Sequence, residues 1–82
     1  MIPKDVLMNY KNKIASDMPI DSSDIEFIFL PKSKNIYLFF KKRPSNINDI
    51  YDYIEEARNE FMNYGWYLTR TLIEPEVLYE SD

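Results

Sequence analysis

The sequence predicts a small α+β domain, in which a three-stranded sheet carries two helices packed on one face. Two segments place apolar residues at spacings of three and four, which is typical of amphipathic helices. Three short runs are rich in β-branched and aromatic residues, which favours strands. The chain has 82 residues, so we expect one domain over residues 1–82. The order α-β-β-α-β is suited to a two-layer architecture.

The first helix is expected over residues 4–16. Leu7, Tyr10 and Ile14 fall on one side of it, so this side should pack against the rest of the domain. The helix should end before Pro19, because the residue that precedes a proline is driven out of the helical region.

Two strands, residues 25–30 and 36–41, are separated by a short turn-forming segment and should form an antiparallel hairpin. We predict the register that places Glu26 opposite Lys41, because opposite charges and aromatic pairs across strands are favourable. In this register the side chains that face the helices are Ile25, Phe27, Phe29, Leu38 and Phe40.

The second helix is predicted over residues 47–64 and the third strand over residues 66–73. Gly65, which is the only glycine of the chain, stands where a helix commonly ends on a glycine. The remaining residues, 74–82, form an acidic C-terminal tail. We leave open whether this tail docks on the domain or stays free of it.

The composition argues against an enzyme. The chain has neither cysteine nor histidine, so nucleophilic triads and thiol chemistry lack their usual groups. The densest carboxylate cluster, Asp21, Asp24 and Glu26, is the one candidate for a divalent-metal site. A charge-paired loop is the favoured interpretation of these residues, and we expect no catalytic residue, metal or cofactor.

The second helix carries a regular row of carboxylates. Asp49, Asp52, Glu56 and Glu60 follow one another at steps of three, four and four, which aligns them along one side of the helix. This row resembles a series of phosphates in outline, so it is a candidate for binding a basic groove on a partner protein. The alternative is the solvated side of an ordinary amphipathic helix.

The sheet face away from the helices is the second candidate surface. In the predicted register it carries the following residues of the hairpin and of the third strand: Glu26, Ile28, Leu30, Tyr37, Phe39, Lys41, Tyr67, Thr69 and Thr71. Three aromatic side chains on it represent about 450–700 Å², which reaches the size of the largest apolar patch on an ordinary monomer. We therefore predict that Tyr37, Phe39, Lys41 and Tyr67 bind a partner or a second copy in a homodimer, unless Val77, Leu78 and Tyr79 of the tail cover them.

Basic residues form two separate clusters. Lys32 and Lys34 lie in the hairpin turn, and Lys41, Lys42 and Arg43 lie at the far end of the second hairpin strand. Together with the aromatic residues they offer an alternative function, a small nucleic-acid-binding protein. The net charge of −4 disfavours that alternative, because phosphate neutralisation drives such binding.

The sequence therefore favours a non-catalytic protein-binding module. Ile, Lys, Asn, Tyr and Phe, which have A/T-rich codons, supply 36 residues, and Gly, Ala, Arg and Pro supply 11. This bias favours a phage or mobile-element protein that inhibits a host protein, such as a defence nuclease. A homo-oligomeric structural or virion component is a further alternative. We expect the protein in the cytoplasm, that of the host if viral, because the sequence has neither a signal peptide nor a membrane span.

Overall fold

The computed structural model describes residues 1–45 and 47–74, which form two helices and one three-stranded sheet. The elements are α1 (Lys4–Asp17), β1 (Ile25–Leu30), β2 (Asn35–Phe40), α2 (Ile50–Met62) and β3 (Tyr67–Ile73). Two short 3-10 helices, Ser22–Asp24 and Ile47–Asp49, precede β1 and α2. The predicted α+β class and element order are confirmed. The predicted acidic tail lies outside the described residues, apart from Glu74.

The sheet is mixed, with β2 in the middle. β1 and β2 are antiparallel, as expected for a hairpin, and β2 and β3 are parallel. The parallel pair follows from the connection, because α2 carries the chain back along the sheet before β3 begins. β1 is consequently an edge strand on one side of the sheet, and β3 is the edge strand on the other.

The predicted hairpin register is wrong by two residues. Glu26 lies opposite Phe39, and Leu30 lies opposite Asn35. A four-residue turn, which ends at Lys34 with a φ of 60°, joins the strands more tightly than the sequence suggested. A shift of two residues leaves every side chain on its predicted face, and the Lys41 ammonium still reaches the Glu26 carboxylate diagonally, at 3.1 Å.

β3 contains a register shift that the sequence did not predict. Leu68 pairs with Ile36 but Arg70 pairs with Tyr37, so Thr69 is an additional residue in the ladder. Such a bulge changes the face on which the following side chains lie. Tyr67 is on the predicted outer face, but Arg70 and Leu72 take the outer positions that were predicted for Thr69 and Thr71. That part of the prediction is wrong.

The main core lies between the helices and the inner face of the sheet. Phe61 of α2 is fully buried, and its ring meets the rings of Tyr10 and Phe27 edge to face, with centroids 5.7 and 5.5 Å apart. Phe29 meets Trp66 in the same manner at 5.0 Å. Edge-to-face pairs add roughly 0.5–1.5 kcal/mol each to the effect of burial, so these aromatic contacts hold both helices to the sheet.

α2 ends earlier than predicted, and Gly65 makes the turn that follows it. The amide of Gly65 donates to the Met62 carbonyl and the amide of Trp66 donates to the Phe61 carbonyl. The φ of Gly65 is +80°, a conformation that costs little only for glycine. This turn directs the chain from α2 straight into β3.

No helix in residues 1–45 and 47–74 combines the length and the apolar character that membrane crossing requires. The longest helix, α1, has 14 residues, whereas a span needs about 20.

Candidate protein-binding surfaces

The first surface is acidic and lies where α1 ends and α2 begins. Asp49 is the N-cap residue of α2 and Asp52 lies in its first turn, where the helix dipole favours negative charge. Asp17, the last residue of α1, lies close to Asp49 and Asp52. These three carboxylates, with Tyr53 and Glu56, line an open groove of about 460 Å³. We call this set of five residues the acidic groove.

Glu56 and Glu60, the two C-terminal members of the carboxylate row, make contacts within the domain. Glu56 accepts a hydrogen bond from the Lys13 ammonium at 3.4 Å. Both side chains are about half exposed, 44% for Lys13 and 56% for Glu56, so this ion pair contributes little to stability. Glu60 accepts a hydrogen bond from the Tyr10 hydroxyl at 2.8 Å, which links the middle of α1 to the end of α2. Of the four predicted residues, Asp49 and Asp52 are therefore the ones most available to a partner.

The donor in the Tyr10–Glu60 hydrogen bond is the hydroxyl of a buried tyrosine. Burial raises the pKa of the Tyr10 hydroxyl above its ordinary value, and the hydrogen bond to Glu60 raises it further. The negative charges of Glu60 and Glu56 act in the same direction. The hydroxyl therefore stays protonated in the folded protein and keeps donating to the carboxylate.

Replacing Tyr10 by phenylalanine should change how stability depends on alkaline pH. An unfolded tyrosine ionises near pH 10, and the folded Tyr10 ionises at a higher pH. Above pH 10 the folded wild type therefore keeps the Tyr10 proton, whereas the unfolded chain loses it. This difference lowers the free energy of unfolding by up to about 1.4 kcal/mol for each pH unit. Urea unfolding at pH 8–11 should show a smaller alkaline loss for Tyr10→Phe.

Tyr64→Phe is the matched control, because it removes the hydroxyl of a tyrosine that is 39% exposed. It should keep the alkaline slope of the wild type. An equal slope for Tyr10→Phe and the wild type would contradict the role of the buried hydroxyl.

The second surface, on the outer face of the sheet, is less open than the sequence suggested. Tyr37 is only 6% exposed, and it belongs to a small apolar cluster with Leu30 and Leu72. Phe39 is partly buried against this cluster, whereas Tyr67 is 48% exposed. The expectation of a wide aromatic surface is corrected at Tyr37, because a bulge in β3 brings apolar Leu72 beside it.

Tyr37, Phe39 and Lys41 lie in a row along β2 and the residue after it, and Tyr67 of β3 lies beside the start of this row. Tyr67 pairs with Asn35, and Tyr37, Phe39 and Lys41 follow at steps of two residues along the chain. The guanidinium carbon of Arg70 lies 5.4 Å from the centre of the Tyr37 ring. The exposed residues of this face therefore include Tyr67, Arg70 and the Glu26–Lys41 ion pair.

The two basic clusters lie near opposite ends of β2. Lys34 places its ammonium 4.9 Å from the centre of the Trp66 ring. At the other end, Lys41 pairs with Glu26 at 3.1 Å, and Lys42 lies 3.9 Å from Asp24. The two clusters are separated by the length of β2, whereas a continuous basic patch or stripe is typical of nucleic-acid binding.

The carboxylates before and inside β1 are part of the same ion pairs. Asp24 and Glu26 each face a lysine, as the charge-paired interpretation predicts. Within the described ranges, no group of three or more acidic side chains has an arrangement that could hold a metal ion.

Sequence reasoning missed Asp17 and Arg70. Asp17 follows the predicted first helix, residues 4–16, and was not counted among the candidate binding residues. Arg70 was not counted among the outer-face residues, because strict alternation along β3 ignores the extra residue at Thr69. The role of Asp17 could have been inferred only from the proximity of α1 to the start of α2. No local signal in the sequence indicates the outward position of Arg70.

Comparison with known proteins gives no relative from which a function could be inferred. The chain matches no protein-family model, no curated protein and no solved structure.

Proposed function

We propose that this protein is a non-catalytic module that binds another protein through the acidic groove. The observation that supports the proposal is the convergence of Asp17, Asp49 and Asp52 from two helices on one open groove. Within residues 1–45 and 47–74, these three carboxylates form no ion pair. Like charges brought together at an exposed site repel one another, and a cationic partner would relieve that repulsion.

The partner class follows from the charge and shape of the groove. Asp49, Asp52 and Glu56 lie at helical steps of three and four, which places the Cβ atoms of neighbouring residues about 5–6 Å apart. A row of negative charges with this spacing suits a protein groove that is basic because it normally holds nucleic acid. A nucleic-acid-binding host enzyme, such as a defence nuclease, is therefore our proposed target.

An inhibitor encoded by a phage or mobile element fits this target and the bias toward amino acids whose codons are A/T-rich. Such an inhibitor would act in the cytoplasm of the host. The outer sheet face provides a second contact, in which Tyr67, Phe39 and Lys41 bind the same partner or a second copy of the chain. Tyr67 supports this role best, because it is a large aromatic side chain that is about half exposed.

The proposal predicts competition between the protein and DNA for the same partner. Immobilised wild-type protein should capture a nucleic-acid-binding enzyme from a lysate of a low-GC bacterium, identified by mass spectrometry. Added duplex DNA should release the captured enzyme, because both ligands would occupy one basic groove. Capture of an enzyme that still binds DNA equally well when saturated with this protein would contradict the proposal.

A further inference from the structure

A second groove, of opposite charge, lies between α1 and the edge strand β1. It has a volume of about 300 Å³ and is lined by Lys4, Leu7, Met8, Lys11, Phe27 and Phe29. Its floor is apolar, and Met8 on its rim is 48% exposed. α1 therefore presents two lysines and two apolar side chains beside an edge of the sheet that is unpaired in the described part of the chain.

The hydrogen-bonding pattern of β1 shows which backbone groups point to that edge. The amide of Lys41 donates to the Asp24 carbonyl at 2.7 Å. In an antiparallel ladder, alternate residues bond to the same neighbour, so residues 26, 28 and 30 direct their amides and carbonyls toward β2. Phe27 and Phe29 direct theirs to the open edge, where no strand of residues 1–45 and 47–74 pairs with β1. Such an edge is a template for another strand.

Charge indicates what kind of strand the edge suits. Lys4 and Lys11 are seven residues apart on α1, which separates their backbone positions by about 10 Å. Within the described residues, neither of them forms an ion pair. In a chain with a net charge of −4, this groove is a local concentration of positive charge that faces apolar side chains.

We propose that this groove binds an extended acidic peptide segment of a partner protein, which adds to β1 as a fourth strand. Its backbone would bond to the outward amides and carbonyls of Phe27 and Phe29, as in other strand-addition complexes. Residues on one side of a strand repeat about every 6.6 Å. A peptide with the pattern Glu-x-Leu-x-Glu thus places two carboxylates about 13 Å apart, within reach of Lys4 and Lys11, and a leucine between them against Leu7. This site is independent of the acidic groove.

The test uses the full chain and a fluorescein-labelled heptapeptide, Ser-Glu-Thr-Leu-Thr-Glu-Ser. Fluorescence anisotropy should show saturable binding to the wild type. Affinity should fall at least tenfold for Lys4→Glu/Lys11→Glu, and a peptide with lysine in place of both glutamates should not bind. Lys13→Glu/Lys42→Glu, which changes the net charge equally at lysines outside the groove, should keep the wild-type affinity.

Amide hydrogen exchange distinguishes strand addition from simple charge attraction. Bound peptide should slow exchange at the amides of Phe27 and Phe29, which face the open edge, more than at other amides of the sheet. The proposal is overturned if exchange at these two amides is unchanged, or if both double variants bind the peptide equally. It is also overturned if the peptide does not bind the wild type. Self-association of Lys4→Glu/Lys11→Glu would then show that the lysines serve only to keep the edge from pairing with another copy.

Discussion

Reversing two charges in the acidic groove, Asp49→Lys/Asp52→Lys, is expected to weaken partner binding at least 100-fold. Close charge pairs across a protein interface contribute about 1.5–7 kcal/mol of coupling, and a 100-fold change in affinity corresponds to about 2.7 kcal/mol. The reversal replaces two such attractions by repulsion from the basic groove of the partner. Titration calorimetry with the captured enzyme measures the change.

The fold should survive this substitution. Asp49 makes no side-chain capping bond, and the loss of dipole stabilisation at a helix N-terminus is about 0.3–1 kcal/mol per charge. Asp5→Lys/Asp21→Lys is the matched control, because it changes the net charge by the same amount at exposed residues outside the groove. If both double variants lose affinity equally, only the overall charge of the protein matters, and the acidic groove is not the binding site.

Replacing Phe61 by alanine is expected to remove much of the stability of the domain. Phe61 is 0% exposed and contacts both Tyr10 of α1 and Phe27 of β1. Truncating a buried phenylalanine costs about 3–5 kcal/mol, and small domains often have only about 5–15 kcal/mol in total. The midpoint of urea unfolding, followed by circular dichroism, should therefore fall sharply.

The neighbouring residue provides the control for this experiment. Met62 is 50% exposed, so Met62→Ala should change the free energy of unfolding by less than about 0.5 kcal/mol. Similar losses for the two variants would show that α2 is held by something other than the aromatic contacts of Phe61. That result would require a different account of the core.

The sequence predicted the elements well, because their patterns are local. Apolar residues at helical spacing placed α1 within one residue of its observed end, and β-branched and aromatic residues placed β1 at residues 25–30. The hairpin register was missed by two residues. The Glu26–Lys41 pair, from which it was inferred, forms across a diagonal, because Glu26 lies opposite Phe39. Long side chains reach both positions, so a charge pair does not specify a register.

The candidate surfaces were predicted only in part. The carboxylate row was found from its spacing, but spacing does not show that Tyr10 and Lys13 of α1 engage Glu60 and Glu56. The outer sheet face was found from alternation, but alternation does not show that Tyr37 is buried. In both cases the sequence does not show which side chains from distant parts of the chain contact Glu56, Glu60 or Tyr37.

By itself, the sequence determined the class of the fold, the faces of the hairpin and the absence of cysteine and histidine chemistry. These properties depend on the identity of each residue and on the spacing of apolar residues, which is two in a strand and three or four in a helix. Only the tertiary structure decided the bulge at Thr69, the arrival of Asp17 beside Asp49 and Asp52, and the lysine-lined groove at the edge of β1. Each of these depends on how α1, α2 and the sheet pack together, and packing is settled by the shapes of contacting side chains far apart in the chain.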